Sequence, residues 1–295
     1  MKIAILHQDL EYQEKVIKEK LEEEGFPTDL IDVRKTTSKE LSNYSLILNR
    51  VFASVANRNY EDNLRTLDLL KKTTTKSINS YFTSKCDYSK YFASTVLDEK
   101  EIRNPKTTLL KSAKEIKQGL LFAKKCGYPI VLKRDIGGRA KEIFLIENES
   151  KLESKLNYLF QSSNEYKGGY ILQKKINSIY DHDYRVGVIN GKIIFCNTRS
   201  IVADEEGKKW ITSASNGSIV LNIKTPPEIG KIAIESSKAI QATMNEVDII
   251  VDENGPVIIE NNPTPNYTIT SEIRRKMLDL TIDKIKNLLL KEDYK

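Results

Sequence analysis

Histidine and cysteine are scarce in this chain of 295 residues: there are two histidines, His7 and His182, and three cysteines, Cys86, Cys126 and Cys196. Three cysteines, odd in number and far apart, make neither a disulfide framework nor a thiolate zinc site. Two histidines exclude a multi-histidine metal centre. No apolar run approaches the ~18–20 residues that span a bilayer. The first residues, Met1-Lys2-Ile3-Ala4-Ile5-Leu6-His7-Gln8, turn polar too early for a secretory signal. A reducing, cytoplasmic setting is expected. Only one tryptophan is present, and basic residues do not interleave with aromatics as in a nucleic-acid stacking surface.

What is present is enough for a core: 39% of residues are apolar and 30% charged. The length suits two domains, or one with subdomains. The net charge is +6, from 47 basic and 41 acidic residues. Lysines and acids alternate in stretches such as residues 15–24, the pattern of solvated helix faces. A net positive field also attracts an anionic substrate such as a nucleotide.

The patterning changes along the chain. A short apolar run from Lys2 to Leu6, an amphipathic stretch from Glu11 to Glu24 stopped by Gly25 and Pro27, an alternating run from Thr28 to Val33 and another apolar run from Ser45 to Leu48 read as β-α-β with a further βα step. This predicts a small parallel-sheet domain over residues 1–80. Helices are expected over Tyr88 to Lys100 and Glu115 to Cys126, with a loop from Ile102 to Thr107 between them. From Ile130 to Asn197 come short β-branched runs with tight turns such as Asn190-Gly191, which read as antiparallel sheet. A helix from Pro226 to Met244, a hairpin around residues 252–255 and an amphipathic helix from Ser271 to Lys291 close the chain.

Two carboxylates stand in unusual places. Asp248 interrupts the apolar run Val247 to Val251, and Glu260 directly follows Val257-Ile258-Ile259. A charge in such a strand needs a partner. Positions i and i+2 of a strand share a face, so Glu260 and Asn262 can converge on one ion while Asp248 approaches from the neighbouring strand. Oxygen ligands without His or Cys suit Mg²⁺ or Mn²⁺. A hairpin whose acids face solvent or pair with lysine fits these residues equally well.

Basic residues are placed to meet phosphate. Lys133 ends the run Tyr128 to Leu132 and precedes a turn containing Gly137 and Gly138. Backbone N–H groups of such a turn can cradle an anion, although a plain glycine hairpin turn has the same sequence. Neither a Walker-type loop nor a dinucleotide fingerprint is present. Arg185 and Arg199 occupy or follow strands, where their donor forks suit a fixed anion or a structural ion pair.

Taken in order, these features resemble the ATP-grasp superfamily, and within it the RimK-type and LysX-type carboxylate–amine ligases. The resemblance covers roughly residues 1–290. It rests on Asn79-Ser80, then Lys90, then Pro105-Lys106-Thr107. It continues through the strand ending in Lys133 with Gly137-Gly138, the hinge Gln173-Lys174-Lys175-Ile176, Asp183-Tyr184-Arg185, Arg199 and Asp248, and ends at Glu260-Asn261-Asn262-Pro263-Thr264-Pro265. It departs from the family pattern at Lys174, where an acidic residue is usual, and over Trp210 to Ser218, where both arginines and one asparagine of the family motif are replaced.

The fold implied is α/β (α+β): a parallel-sheet pre-ATP-grasp domain over 1–80, then a two-lobed ATP-grasp domain over 81–295 with antiparallel sheets, its lobes about 81–172 and 173–295. The cofactors implied are ATP and Mg²⁺ or Mn²⁺, with two ions held by Asp248, Glu260 and Asn262. Lys90, Lys133, Gly137, Gly138, the hinge Gln173–Ile176 and Asp183 would meet the nucleotide. Arg185 and Arg199 would steady the carboxylate or acyl phosphate. Arg50, which follows Asn49 at a strand end, and Asn216 would face substrate; for Arg50 a surface ion pair is the competing reading. The implied reaction joins a small-molecule, peptide or carrier-protein carboxylate to an amine, with ADP and phosphate released. Relatives are often dimers or tetramers, and neither membrane nor nucleic acid is expected as a partner. A phosphotransferase acting on a small molecule, or a non-catalytic nucleotide-binding protein, are the alternatives.

Overall fold

The computed structural model describes residues 1–52, 60–137, 142–162, 167–203, 207–212, 217–266 and 271–290. Among them, three sheets and one short ladder carry the architecture. The first sheet holds β1 (Ile3–His7), β2 (Thr28–Asp32), β3 (Leu46–Asn49) and β4 (Ser77–Ile78), all parallel in the order β2-β1-β3-β4. Helices α1 (Tyr12–Glu23), α2 (Ser38–Leu41) and α3 (Tyr60–Lys72) connect its strands. β1 is buried along its whole length, and its residues alternate between two cores. Ile3 and Ile5 pack with Val16, Ile17 and Leu21 of α1, whereas Ala4 and Leu6 pack with Ile47, Leu69 and Leu70. This is the near-continuous apolar run that a two-sided parallel strand requires.

Two helices follow, α4 (Tyr81–Tyr88) and α5 (Lys90–Glu99). Ser89 separates them and caps α5, its hydroxyl accepting from Phe92 N. The second sheet contains β5 (Thr107–Leu110), β6 (Ile130–Arg134), β7 (Ile143–Ile146) and β8 (Tyr170–Lys174), antiparallel in the order β5-β8-β6-β7. Helices α6 (Ile116–Cys126) and α7 (Glu149–Ser162) cover one face, burying Leu132, Leu152, Leu156, Tyr170 and Leu172.

The third sheet begins with β9 (His182–Ile189) and β10 (Lys192–Ser200), joined at Asn190-Gly191 with φ of +56° and +73°. Both positive φ values belong to a type I′ turn, whose twist matches the flanking strands. A ladder of β11 (Val202–Ala203) and β12 (Lys209–Ile211) interrupts the sheet. β13 (Val220–Asn222), helix α8 (Pro227–Ala239), β14 (Met244–Asp252) and β15 (Gly255–Asn262) follow, and the strand order is β13-β10-β9-β14-β15. The chain then enters helix α9 (Glu272–Leu290).

Two expectations need correcting. The helix from Pro226 stops at Ala239 rather than running to Met244, because Gln241 turns into the left-handed region at φ +54° and Met244 already begins β14. Thr107, expected to end a loop, opens strand β5. Helix α7 fills the interval between the expected runs at Ile146 and Tyr170, for which no element is predicted. The first sheet also shares a core with the far end of the chain. Ile3, Ile5, Leu46 and Leu48 pack in one cluster with Met277, Leu278, Ile282 and Ile285 of α9 and with Ile189, Phe195 and Met244 of the third sheet.

Candidate active site

Period-two alternation divides the third sheet into a dry face and a charged face. Tyr184, Val186 and Val188 of β9 and Val247 and Ile249 of β14 pack toward α8. Asp183, Arg185, Glu246, Asp248 and Ile250 instead line a cleft of about 680 Å³. Its opposite wall comes from the second sheet: Val131 and Lys133 of β6, Ile143 of β7 and the segment Gln173 to Ile176. Gln13, near the start of α1, reaches one part of the cleft, and Trp210 of β12 another.

Strand register sets the charged face. In one row, Asn197, Arg185, Asp248 and Glu260 stand directly opposite one another on β10, β9, β14 and β15. One pleat along, Glu246 stands opposite Asn262. The register between β14 and β15 shifts between Asp248 and Ile249, whose partners are Glu260 and Ile258. This bulge lets consecutive residues Ile259 and Glu260 both reach the cleft while Ile258 stays in the core beneath α8. Bulges next to active sites re-aim side chains in this way.

The charges are mutually paired. Arg185 donates from Nε to Asp248 Oδ1 at 2.7 Å and from Nη2 to Oδ2 at 2.8 Å, a bidentate fork. Arg199 Nη2 lies 3.1 Å from the same Asp248 Oδ2. Burial alone would raise the Asp248 carboxyl, but the two guanidinium groups outweigh it and hold it at about 2. Arg199 also grips Asp183, donating from Nε at 2.9 Å and from Nη2 to the second oxygen, which Thr212 Oγ1 also reaches. Asp183, expected at the nucleotide, therefore spends both oxygens within the protein and anchors Arg199. Lys90 Nζ lies 3.2 Å from Glu260 Oε1 and donates to the carbonyl of Gly137.

Lys133 differs from these groups. It is buried, and among the described residues it makes no ion pair. Burial pushes its ammonium down to about 8, with Glu260 pulling the other way. A polyanion arriving opposite it would be its counter-charge.

Asn262 and Asn261 face opposite ways. Asn261 Oδ1 accepts from Ser236 Oγ at 2.6 Å and from Asn245 Nδ2 at 2.8 Å, in the core. Asn262 Nδ2 donates to the Glu246 carbonyl at 3.1 Å, which leaves its amide oxygen as the outward end. Two carboxylates and an amide oxygen on one face form a hard-oxygen donor set that fits Mg²⁺ or Mn²⁺. Among the described residues no three His, Cys, Asp or Glu side chains converge as a closed metal site, so phosphate or water oxygens would complete the coordination.

The cleft thus brings together Lys133, Gln173, Lys174, Lys175, Ile176, Asp183, Arg185, Arg199, Asp248, Glu260 and Asn262. Lys90 meets them at Glu260 from a small adjoining cavity. Gly137 enters through its carbonyl. Gly138 and Asn216 lie outside the described residues. Arg50 does not match the expectation of a substrate-facing guanidinium, nor that of a surface ion pair. It is fully buried, donates to Pro265 O at 2.8 Å and Gln13 Oε1 at 3.1 Å, and lies 3.5 Å from Glu14. With Asn79, which donates to Pro263 O at 2.9 Å, it ties the first sheet to the loop after Asn262.

Sequence reasoning missed Glu246 and Arg274. Glu246 is buried, Arg274 donates to it from Nη1, and Arg185 Nη1 lies 3.6 Å away. The signal for Glu246 was available, because it stands two residues before Asp248 and so shares its face. Arg274 carried none, since it arrives from α9.

A family model of RimK-like ATP-grasp domains matches residues 88–286. The chain belongs to the RimK-like ATP-grasp family. It is 26% identical over 280 residues to a probable alpha-L-glutamate ligase 2 of Pseudoalteromonas atlantica, covering 90% of this chain and 88% of that protein. It is also 26% identical over 186 residues to the alpha-aminoadipate–LysW ligase LysX of Saccharolobus solfataricus, covering 63% of this chain and 64% of that one. The fold is similar to the crystal structure of D-alanine–D-alanine ligase from Bacillus anthracis, with a TM-score of 0.68 and 17% identity over 99% of both chains. The two-sheet clamp is accordingly an ATP-grasp clamp, and the protein is an ATP-dependent carboxylate–amine ligase that forms a C–N bond. Among the described residues no helix is long and apolar enough to cross a membrane.

Proposed function

We propose that the cleft binds ATP between the second and third sheets and activates a carboxylate as its acyl phosphate, which an amine then converts to an amide. The observation that carries this reading is the row in which Asp248 faces Glu260, with Asn262 one pleat along, opposite the buried Lys133, which makes no ion pair among the described residues. Adenine lies against Val131, Ile143, Ile176, Ile250 and Ile259, with the hinge Gln173–Ile176 along its edge. Lys90 and Lys133 hold the phosphates. Asp248, Glu260 and Asn262 would hold two divalent cations. When bound, these neutralise charge developing on the transferred phosphoryl group. Arg185 and Arg199 steady the carboxylate and the acyl phosphate through their donor forks. The fold needs no covalent nucleophile for this route.

Residues 1–80 form the substrate-side part and 81–295 the nucleotide-clamping part, with lobes 81–172 and 173–295. The substrates are a small-molecule or peptide carboxylate and an amine, or a carrier-protein terminus, handled in the cytoplasm. The test is ADP release with mixtures of amino acids and small carboxylates in the presence of Mg²⁺ and hydroxylamine. Carboxylate-dependent ADP with hydroxamate is the expected result. ADP without hydroxamate would replace acyl transfer with phosphorylation of a hydroxyl, and no ADP with any mixture would remove the catalytic reading.

A further inference from the structure

Glu246 and Arg274 form a unit that the reaction scheme leaves unused. Glu246 shares the cleft face of β14 with Asp248, and its side chain is 4% exposed. Across on β9 its partner is Gly187, where a Cβ would collide with the Phe195 ring. The ring takes that space, and the Arg274 guanidinium lies over it, 5.4 Å from its centroid. Arg274 Nη1 donates to Glu246 Oε1, while Glu246 Oε2 stands 3.6 Å from Arg185 Nη1. One buried carboxylate therefore links a guanidinium inside the reaction cleft to another held on an aromatic platform.

Arg274 sits in the first turn of α9, where the helix dipole disfavours a cation. A buried acid is costly unless cations pair with it, and Glu246 stands beside two guanidinium groups. Arg185 spends its fork on Asp248. If Asp248 turns to a divalent cation, Arg185 loses much of its counter-charge and gains a positive neighbour. It would then swing away unless a second anion held it.

We propose that Glu246 is that second anion: a positioning residue that keeps Arg185 aimed at the reacting phosphoryl group once Asp248 engages a cation, with Arg274 balancing Glu246. The proposal rests on the ligase reading above. Asp248 and Glu246 divide the work, one taking the cation and the other retaining the arginine.

The test uses the full chain with Glu246→Gln, Arg274→Met and the double variant. ADP affinity is measured by calorimetry with and without MgCl₂, and kcat and KM for ATP by ADP release. Without Mg²⁺, Glu246→Gln should bind ADP as the parent does, because Asp248 still holds Arg185. With Mg²⁺ the variant should lose about 10- to 100-fold in kcat, the size expected for a hydrogen bond to a charged group, while KM for ATP stays within about threefold. The gain in ADP affinity on adding Mg²⁺ should shrink as well. Arg274→Met should show the same pattern more weakly, and the double variant should be no worse than Glu246→Gln alone, because the two act as one unit. Arg274→Lys, which keeps the charge, should restore most of the loss. If Glu246→Gln does not fold, the Arg274 pair decides. Equal loss of ADP binding with and without Mg²⁺, or additive effects in the double variant, would reduce Glu246 to a structural acid. A parent protein that binds no ADP at all would overturn the ligase reading itself.

Discussion

The two walls of the cleft handle charge in opposite ways. On the side of the third sheet, which α9 joins, each of three guanidinium groups has a carboxylate: Arg185 with Asp248, Arg199 with Asp183, and Arg274 of α9 with Glu246. On the second sheet Lys133 is buried and makes no ion pair among the described residues. One wall has its charges paired before anything binds, and the other holds a charge that burial penalises. The paired wall can exchange partners during a reaction without large changes in net charge. The unpaired wall gains most when a polyanion arrives. On the reading proposed above, the arginine side orients and the lysine side supplies binding energy.

Four substitutions or measurements would break or sharpen this contrast. The largest effect is expected on the paired wall. Asp248→Asn should lower ATP turnover by at least ~10³-fold, since it removes the proposed cation ligand and the shared counter-charge of two arginines. Circular dichroism should show the fold retained; a folded variant with full turnover would falsify the metal assignment. Next comes Lys133→Met, which should weaken ADP binding about 10- to 100-fold in calorimetry. Because the folded protein disfavours this buried ammonium, the same variant should melt at a higher temperature without nucleotide. A lower melting point would mean that Lys133 has a counter-charge after all.

A pH effect of intermediate size follows from the same residue. Lys133 is charged on its own below about 8 and neutral above it in the free protein. Bound phosphate favours the charged form, so ADP affinity should fall as pH rises from about 8 toward the ordinary lysine range. Binding at pH 8.5 should be accompanied by proton uptake, seen as a buffer-dependent enthalpy, and Lys133→Met should abolish it. The smallest effect should come from the apolar part of the second-sheet wall. Val131→Ala removes two carbons and should raise KM for ATP by about 15-fold at most, at about 0.8 kcal/mol per carbon, with kcat unchanged.

How much of this was legible in the sequence depends on whether a feature was local. The interrupted apolar runs at Asp248 and Glu260, and the strand ending in Lys133, stand out because a charge beside β-branched residues is locally anomalous. Period two then gives Asn262 from Glu260, and gives Glu246 from Asp248 to anyone who counts backwards. The bulge that turns both Ile259 and Glu260 to the cleft leaves no mark on composition, because it depends on the register against β14. Arg274 is set by how α9 packs, and Arg50 by a loop 215 residues away. Arg50 shows the hazard of reading a strand-end arginine as a substrate contact: its position is right for the cleft, but Pro265, Gln13 and Glu14 absorb it. Helix α7 was missed for a similar reason, since its apolar residues fall within a region dominated by strand-like runs.

The core shared by β1, β3 and α9 bears on how such a protein can be taken apart or recombined. Similarity to the family model begins at residue 88, yet the apolar faces of Met277, Ile282 and Ile285 are covered by Ile3, Ile5, Leu46 and Leu48. Exchanging the first 80 residues for those of a relative would transplant half of a hydrophobic interior together with Glu11, Gln13 and Phe52 of the cleft lining. New substrate preferences in this scaffold would then have to arise alongside compensating changes in the last helix. The two ends of the chain are expected to co-vary.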